Sequence, residues 1–240
     1  MSQNHPGQNS NQNVITIAGN IEQLSDRLQR LERQYERSTG SVKLLAVSKR
    51  HSVESIIAAN EAGIMDFGEN YLQEALGKIQ HLSSMRLNWH FIGPIQSNKT
   101  KAIAENFEWV HSIDRLKIAQ RLNDQRESSR AKLNVCIQIK LSDEANKSGV
   151  ELSEAESLCD SVEALPNLAL RGLMAIPAAL PDLESQRRTF RALAQEYSRL
   201  KPRYAQLDTL SIGMSNDFEA AIAEGSTLIR IGTTIFGPRS

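Results

Sequence analysis

Cysteine is nearly missing from this chain. The two that occur, Cys136 and Cys159, lie far apart and form no C-x-x-C pair. Their spacing suggests neither a disulfide framework nor a thiolate zinc site, and fits a reducing compartment, the cytoplasm. Both are read as small buried hydrophobes. Net charge is missing too: Lys plus Arg number 28 and Asp plus Glu number 28, a formal charge of +0. No sequence-wide positive field exists to condense on nucleic acid or an anionic membrane. No apolar run approaches the length of a bilayer span. The opening residues, Met1 to Asn13, lack the basic and apolar regions of a secretory signal. The five histidines have no H-x-x-x-H or comparable ligand spacing, so no metal site is expected. G-x-x-x-x-G-K-[ST], G-x-G-x-x-G and G-x-S-x-G are all missing, which removes the commonest nucleotide and esterase signatures.

What is present is rhythm. Residues 1–13, polar and rich in Asn, Gln and Ser, read as a disordered tail, and residues 14–240 as one domain. From Val14 to about Arg37, Ile17, Ile21, Leu24, Leu28 and Leu31 recur at three- and four-residue intervals, the pattern of an amphipathic helix. Eight short apolar or β-branched runs follow: Leu44–Ser48, Met65–Phe67, Leu87–Ile92, Trp109–Ile113, Leu133–Leu141, Leu168–Ile176, Leu207–Ile212 and Thr227–Ile231. Stretches of helical spacing separate them, among them Val53–Ala62, Tyr71–Ile79, Arg115–Leu122, Ser153–Ala164 and Gln186–Leu200. Strands alternating with helices argue for parallel βαβ units. Eight of them in a chain of 240 residues predict an α/β fold, a single (β/α)8 TIM-type barrel with an extra N-terminal helix. An open doubly wound sheet is the structural alternative.

Barrel chemistry gathers at the C-terminal strand ends. The first run carries Lys49 just beyond its end, on the face shared by Leu45 and Val47. If those two fill the interior, the ammonium points into the mouth, where burial and nearby cations would free the amine for Schiff-base chemistry. The competing reading is a surface lysine reaching water. Arg230 sits inside the eighth run, on one face with Leu228 and Gly232. A guanidinium there needs an acceptor: either an internal Asp or Glu, or a bound heterocycle nitrogen or anion. Gly213-Met214-Ser215 and Gly232-Thr233-Thr234 end the seventh and eighth runs, where barrels frequently hold phosphate, although two ordinary capped turns would look the same. Asn70 and His90 end the second and third runs, and a lone histidine there is more often structural than catalytic. The basic stretch Asn98-Lys99-Thr100-Lys101 reads as a solvated helix start.

At these positions the chain resembles the pyridoxal phosphate homeostasis proteins (the YggS/PROSC type). The resemblance is carried by Leu45-Ala46-Val47-Ser48-Lys49, Phe67-Gly68-Glu69-Asn70-Tyr71, Trp89-His90-Phe91-Ile92-Gly93 and Gln96-Ser97-Asn98-Lys99. It continues through Arg171-Gly172-Leu173-Met174, Gly213-Met214-Ser215-Asn216-Asp217 and the closing Arg230 to Gly237 stretch. It runs from about residue 14 to the C-terminus in consistent order. The resemblance implies the barrel shared with alanine racemase and a bound pyridoxal 5′-phosphate (PLP) held as a Schiff base on Lys49. It implies that Ser215, with backbone N–H groups near Gly232 and Thr233, clamps the phosphate, and that Arg230 faces the pyridine nitrogen. Asn70, His90 and Met214 are implied as pocket lining. The polar tail has no counterpart, and Lys140, where relatives often carry Asn, is given no role.

PLP catalysis needs the ring to accept electrons, and a permanent cation at the ring nitrogen works against that. A racemase also needs a second acid/base, which alanine racemase takes from an additional domain on a partner subunit. With the chain ending at Ser240, that domain is not expected. The expectation is therefore a cytoplasmic monomer that stores, buffers or delivers PLP, without amino-acid turnover and with apo-PLP enzymes as recipients. The alternatives are an amino-acid racemase of relaxed specificity and a barrel enzyme binding another phosphate ester.

Overall fold

In a computed structural model, which describes residues 8–141 and 148–237, eight parallel strands close into a barrel in the order of the sequence. The strands are β1 (Lys43–Val47), β2 (Asp66–Glu69), β3 (Asn88–Phe91), β4 (Trp109–Ile113), β5 (Leu133–Ile139), β6 (Leu168–Ala175), β7 (Thr209–Ser211) and β8 (Leu228–Ile231). Each falls on one of the eight runs, with no end displaced by more than two residues. Closure comes from β1 pairing with β8 as well as with β2, so Leu45 lies beside Arg230 and Val47 beside Gly68. The open-sheet alternative is thereby excluded.

Alternation divides each strand between two environments. Outward side chains such as Ala46, Phe67, Trp89, Phe91 and Ile229 join the large apolar layer beneath the helices. The inward face is different. It holds a small apolar cluster of Leu45, Val47, Ile92 and Leu228, together with buried His90, His111, Ser211 and Arg230.

The outer ring comprises α2 (Val53–Glu61), α3 (Leu72–His81), α4 (Thr100–Asn106), α5 (Leu116–Gln125), α6 (Ala155–Glu163), α7 (Leu183–Leu200), α8 (Phe218–Ala223) and the short α9 (Thr233–Phe236). Before them comes α1 (Gln8–Gln34), which starts ahead of the expected Val14; residues 1–7 of the expected tail lie outside the described residues. The predicted stripe of Ile17, Ile21, Leu24, Leu28 and Leu31 is buried, and α1 packs on α2, α8 and α9. Asn20 Nδ2 donates to the Ile235 carbonyl at 3.0 Å. At the other end, buried Glu32 accepts from the backbone N–H groups of Gly40 and Val42, each at 2.9 Å, fixing the entry into β1. Among the described residues no helix is long and apolar enough to cross a membrane.

Candidate functional site

The C-terminal strand ends open into a cavity of about 430 Å3. Lys49, Asn70, Met214, Ser215, Arg230, Gly232 and Thr233, all singled out in the sequence, lie in its wall. Lys49 lies two residues beyond the end of β1, and the burial of Leu45 and Val47 inside the barrel carries the next side chain on that face into the mouth.

The backbone on both sides of Lys49 is clamped. The Lys78 ammonium, 7% exposed, donates to the Ser48 carbonyl at 2.7 Å, to Glu69 Oε1 at 2.8 Å and to Glu74 Oε1 at 2.6 Å. Ser48 Oγ donates to Glu69 Oε1 at 2.7 Å, and the Arg50 N–H donates to Glu74 Oε1 at 2.5 Å. The two peptide groups flanking Lys49 are therefore tied to one buried ion cluster. Arg50 has a φ of 63°, a left-handed conformation rare for a residue with a side chain, and its bond to Glu74 helps to hold it there. Burial raises the Glu69 carboxyl above its ordinary range, and Lys78 opposes that rise.

Arg230 enters from β8, only 3% exposed. Its Nη1 donates to the Ser211 carbonyl at 2.5 Å and to Ser211 Oγ at 2.8 Å, and its Nη2 to the Ala175 carbonyl at 2.9 Å. None of these acceptors is a carboxylate, so the internal Asp or Glu considered from the sequence is not what holds it. Burial pulls the guanidinium down to about 10, with Asp217 acting against the fall, which leaves it cationic at neutral pH.

Two loops complete the wall. Gly213 turns the chain out of β7 with a φ of 98°, and an added Cβ would meet the Ala221 Cβ at 2.8 Å. The following turn is fixed by Asp217 Oδ1, which accepts from the Met214 N–H at 2.5 Å. Opposite, Gly93 presses against the backbone of Asn70, whose carbonyl oxygen lies 2.2 Å from where a Cβ would sit. Asn70 Oδ1 is buried without a hydrogen-bond partner, an unsatisfied acceptor on a residue of the cavity wall.

His90, implied by the resemblance as pocket lining, does not line this cavity. Asn88, His90 and Ile92 share the inward face of the third strand region, and it is Ile92 that reaches the mouth. His90 lies one layer deeper, where its Nε2 is 3.0 Å from Asp66 Oδ1 and its Nδ1 is 2.9 Å from His111 Nε2. Its ring stacks on Trp109 with centroids 5.3 Å apart. Conversely, His51, Gln186 and Asp217 line the cavity without having been singled out. The position of His51, two residues beyond Lys49 in the same loop, was a usable signal. Asp217 follows Ser215 closely in its turn, whereas Gln186 comes from α7 and carries no local pattern. Lys140, left without a role, pairs with Glu151 at 3.5 Å.

The family model of the alanine racemase N-terminal domain matches residues 20–240. The pyridoxal phosphate homeostasis protein of Vibrio alginolyticus is 51% identical over 230 residues, covering 94% of this chain and 99% of that one. That of Escherichia coli K12 is 50% identical over 226 residues, covering 93% and 97%. Among solved structures, PipY of Synechococcus elongatus with PLP bound is 33% identical with a TM-score of 0.79, covering 92% of this chain and all of its own. Alanine racemase from Corynebacterium glutamicum, 18% identical with a TM-score of 0.71, shares the fold across 94% of this chain and 62% of its own.

Proposed function

Because this chain belongs to the pyridoxal phosphate homeostasis proteins, and to the family of the alanine racemase N-terminal domain, we propose that it binds pyridoxal 5′-phosphate on Lys49 and stores, buffers or delivers it. The observation that carries this reading is the meeting, in one cavity, of an amine, a cationic guanidinium with neutral partners and two hydroxyl-bearing loops. When bound, PLP supplies an aldehyde for the lysine amine and a ring that withdraws electrons.

The residues present fit that group. Lys49 offers the amine on a backbone that the Lys78 cluster immobilises. Ser215 and Thr233, with the backbone N–H groups near Gly232, hold the phosphate from neighbouring loops. Arg230 would face the ring nitrogen, with donor capacity that its three internal bonds leave unused. Asn70 brings the unpaired Oδ1, and Met214 would line the pocket beside Ser215. His90, buried in the barrel interior, is outside this set.

The same arrangement opposes turnover. A fixed cation beside the ring nitrogen disfavours its protonation and so weakens the ring as an electron sink. A holding role asks for an affinity and a release path, and this cavity opens directly at the barrel mouth. Apo forms of PLP enzymes are the recipients in this proposal, and the chain acts as a monomer in the cytoplasm, where its free, buried Cys136 and Cys159 stay reduced.

Borohydride trapping followed by peptide mapping tests the binding. Lys49 is expected to carry the reduced adduct, and a visible band at about 420 nm, a property of the cofactor, to vanish on reduction. An unmodified Lys49 in cofactor-saturated protein overturns the reading. Turnover of L- or D-amino acids far above that of free PLP, and lost in Lys49→Ala, would replace storage with racemisation.

A further inference from the structure

The barrel interior is more polar than filling requires, and its polar groups touch in series. Asp66 Oδ1 is 3.0 Å from His90 Nε2. His90 Nδ1 is 2.9 Å from His111 Nε2, and His111 Nδ1 is 2.9 Å from Ser211 Oγ. Ser211 Oγ accepts from Arg230 Nη1 at 2.8 Å. The series starts at the N-terminal end of β2, crosses from β3 to β4 and β7, and ends on β8 in the wall of the cofactor cavity. We infer that it is one directed chain of hydrogen bonds, and that Asp66, His90, His111 and Ser211 are positioning residues for Arg230. The inference rests on the proposed binding of PLP next to Arg230.

Direction follows from the two ends. A carboxylate only accepts and a guanidinium only donates. Asp66 is held ionised: burial would raise its carboxyl, but the hydrogen bond from His90, then that from Asn88 and the charge of Lys43, bring it below its ordinary value. Both imidazoles are kept neutral, since burial lowers them, and His111 also feels His90 and Arg230. Each neutral ring carries one hydrogen. Asp66 places that of His90 on Nε2, so His90 Nδ1 accepts. His111 must then carry its hydrogen on Nε2, and its Nδ1 accepts in turn. That leaves the Ser211 hydroxyl as donor to His111 and its Oγ as acceptor from Arg230. The assignment made from the carboxylate end meets the one made from the guanidinium end without contradiction.

The arrangement has a physical consequence. Hydrogen bonds in series polarise one another in a low-dielectric interior. An anion at the barrel floor thereby orients the hydroxyl that holds the cation at the barrel mouth. The Asp66 end is open: it borders a floor cavity of about 680 Å3 together with Lys43, Asn88 and Asp208, and its side chain is 35% exposed. A change at Asp66 can therefore be made without entering the cofactor cavity and without burying a new group.

Two readouts test this. Long-range proton–nitrogen NMR on the uniformly labelled, cofactor-free chain at pH 7 is expected to find His90 and His111 neutral, each with its hydrogen on Nε2. In Asp66→Asn, where the amide can donate towards His90, the series is free to reverse, and Nδ1–H forms are expected in both rings. The same variant, and Ser211→Ala as an independent break at the other end, are expected to bind PLP about three- to tenfold more weakly, the size of one net hydrogen bond. The visible band of the bound cofactor should also be displaced. A charged ring or an Nδ1–H ring in the unaltered chain overturns the directed series. Altered tautomers in Asp66→Asn with unchanged PLP affinity and band overturn the positioning role. Failure of the unaltered chain to bind PLP at all would instead remove the proposed function, and with it the positioning role, while the tautomers would still decide the series.

Discussion

Arg230 concentrates two costs in one side chain. Its guanidinium is taken out of water, and its hydrogen bonds go to two carbonyls and one hydroxyl instead of a counterion. Arg230→Met would relieve the first cost but leave the Ser211 and Ala175 acceptors buried and unpaired, at about 1–3 kcal/mol for each unsatisfied group. We therefore expect a net loss of about 1–3 kcal/mol in urea unfolding, together with weaker PLP binding. Arg230→Lys keeps the charge but not the planar fork that reaches both strands, and should recover little of either. An unchanged midpoint in both variants would mean that the three bonds contribute nothing net. Lys49 and Arg230 were legible in the sequence because alternation assigns a face, and both proved to be on the inner one. Depth was not legible. His90 shares the inward face with Ile92, but which of the two reaches the mouth depends on strand stagger around the barrel, a property of eight strands together that no single run encodes.

At the scale of elements, the eight strands could be read because each is a short apolar run between helical patterns, and only their ends moved on folding. The β1–α2 junction could not. Lys78 sits in α3 with Gln73, Glu74, Gln80 and His81, which suggest a solvated face, yet it is buried, because Glu69 from β2 and the Ser48 carbonyl supply its partners from elsewhere in the chain. Pairing of a buried charge is a tertiary fact. Lys78→Met should be costly: it strands Glu69, whose side chain is 0% exposed and whose Oε2 already lacks a partner. Breaking a buried pair from one side typically costs about 3–5 kcal/mol, and denaturant titration should show a loss of that order. Glu69→Gln added to Lys78→Met removes the stranded charge and should restore part of it. The same lesion removes the Lys78 bond to the Ser48 carbonyl and the cation that holds Glu74, the acceptor of the Arg50 N–H, so borohydride trapping at Lys49 should slow in both variants. Trapping at the unaltered rate would show that the clamp holds the fold and not the amine.

For the whole molecule, the two interior imidazoles make stability depend on pH in a definite direction. His90 and His111 both lie below their ordinary value of 6.5 when folded, through burial first, and for His111 through the neighbouring His90 and Arg230 as well. Unfolded, both would titrate near 6.5, so on acidification the unfolded chain takes up protons before the folded one. Their contribution is therefore complete above about pH 6.5 and is lost as pH falls below it towards the folded values, at up to about 1.4 kcal/mol per pH unit for each ring. Glu69 and Asp217 act in the opposite sense. Burial raises both, so their contribution is lost as pH rises from the unfolded carboxylate range towards the folded values. A comparison that cancels the carboxylates isolates the rings. Between pH 7 and 5.5, the unaltered chain should lose more stability than a His90→Gln, His111→Gln double variant, by at most about 2.5 kcal/mol for two rings that stay neutral throughout, measured by urea unfolding at each pH. The variant will start less stable, because its barrel interior has lost the series from Asp66 to Ser211, but the slope and not the starting value carries the test. Equal slopes would mean that the imidazoles take up protons in the folded barrel as readily as in water. That result would be incompatible with two rings enclosed between Asp66 and Arg230.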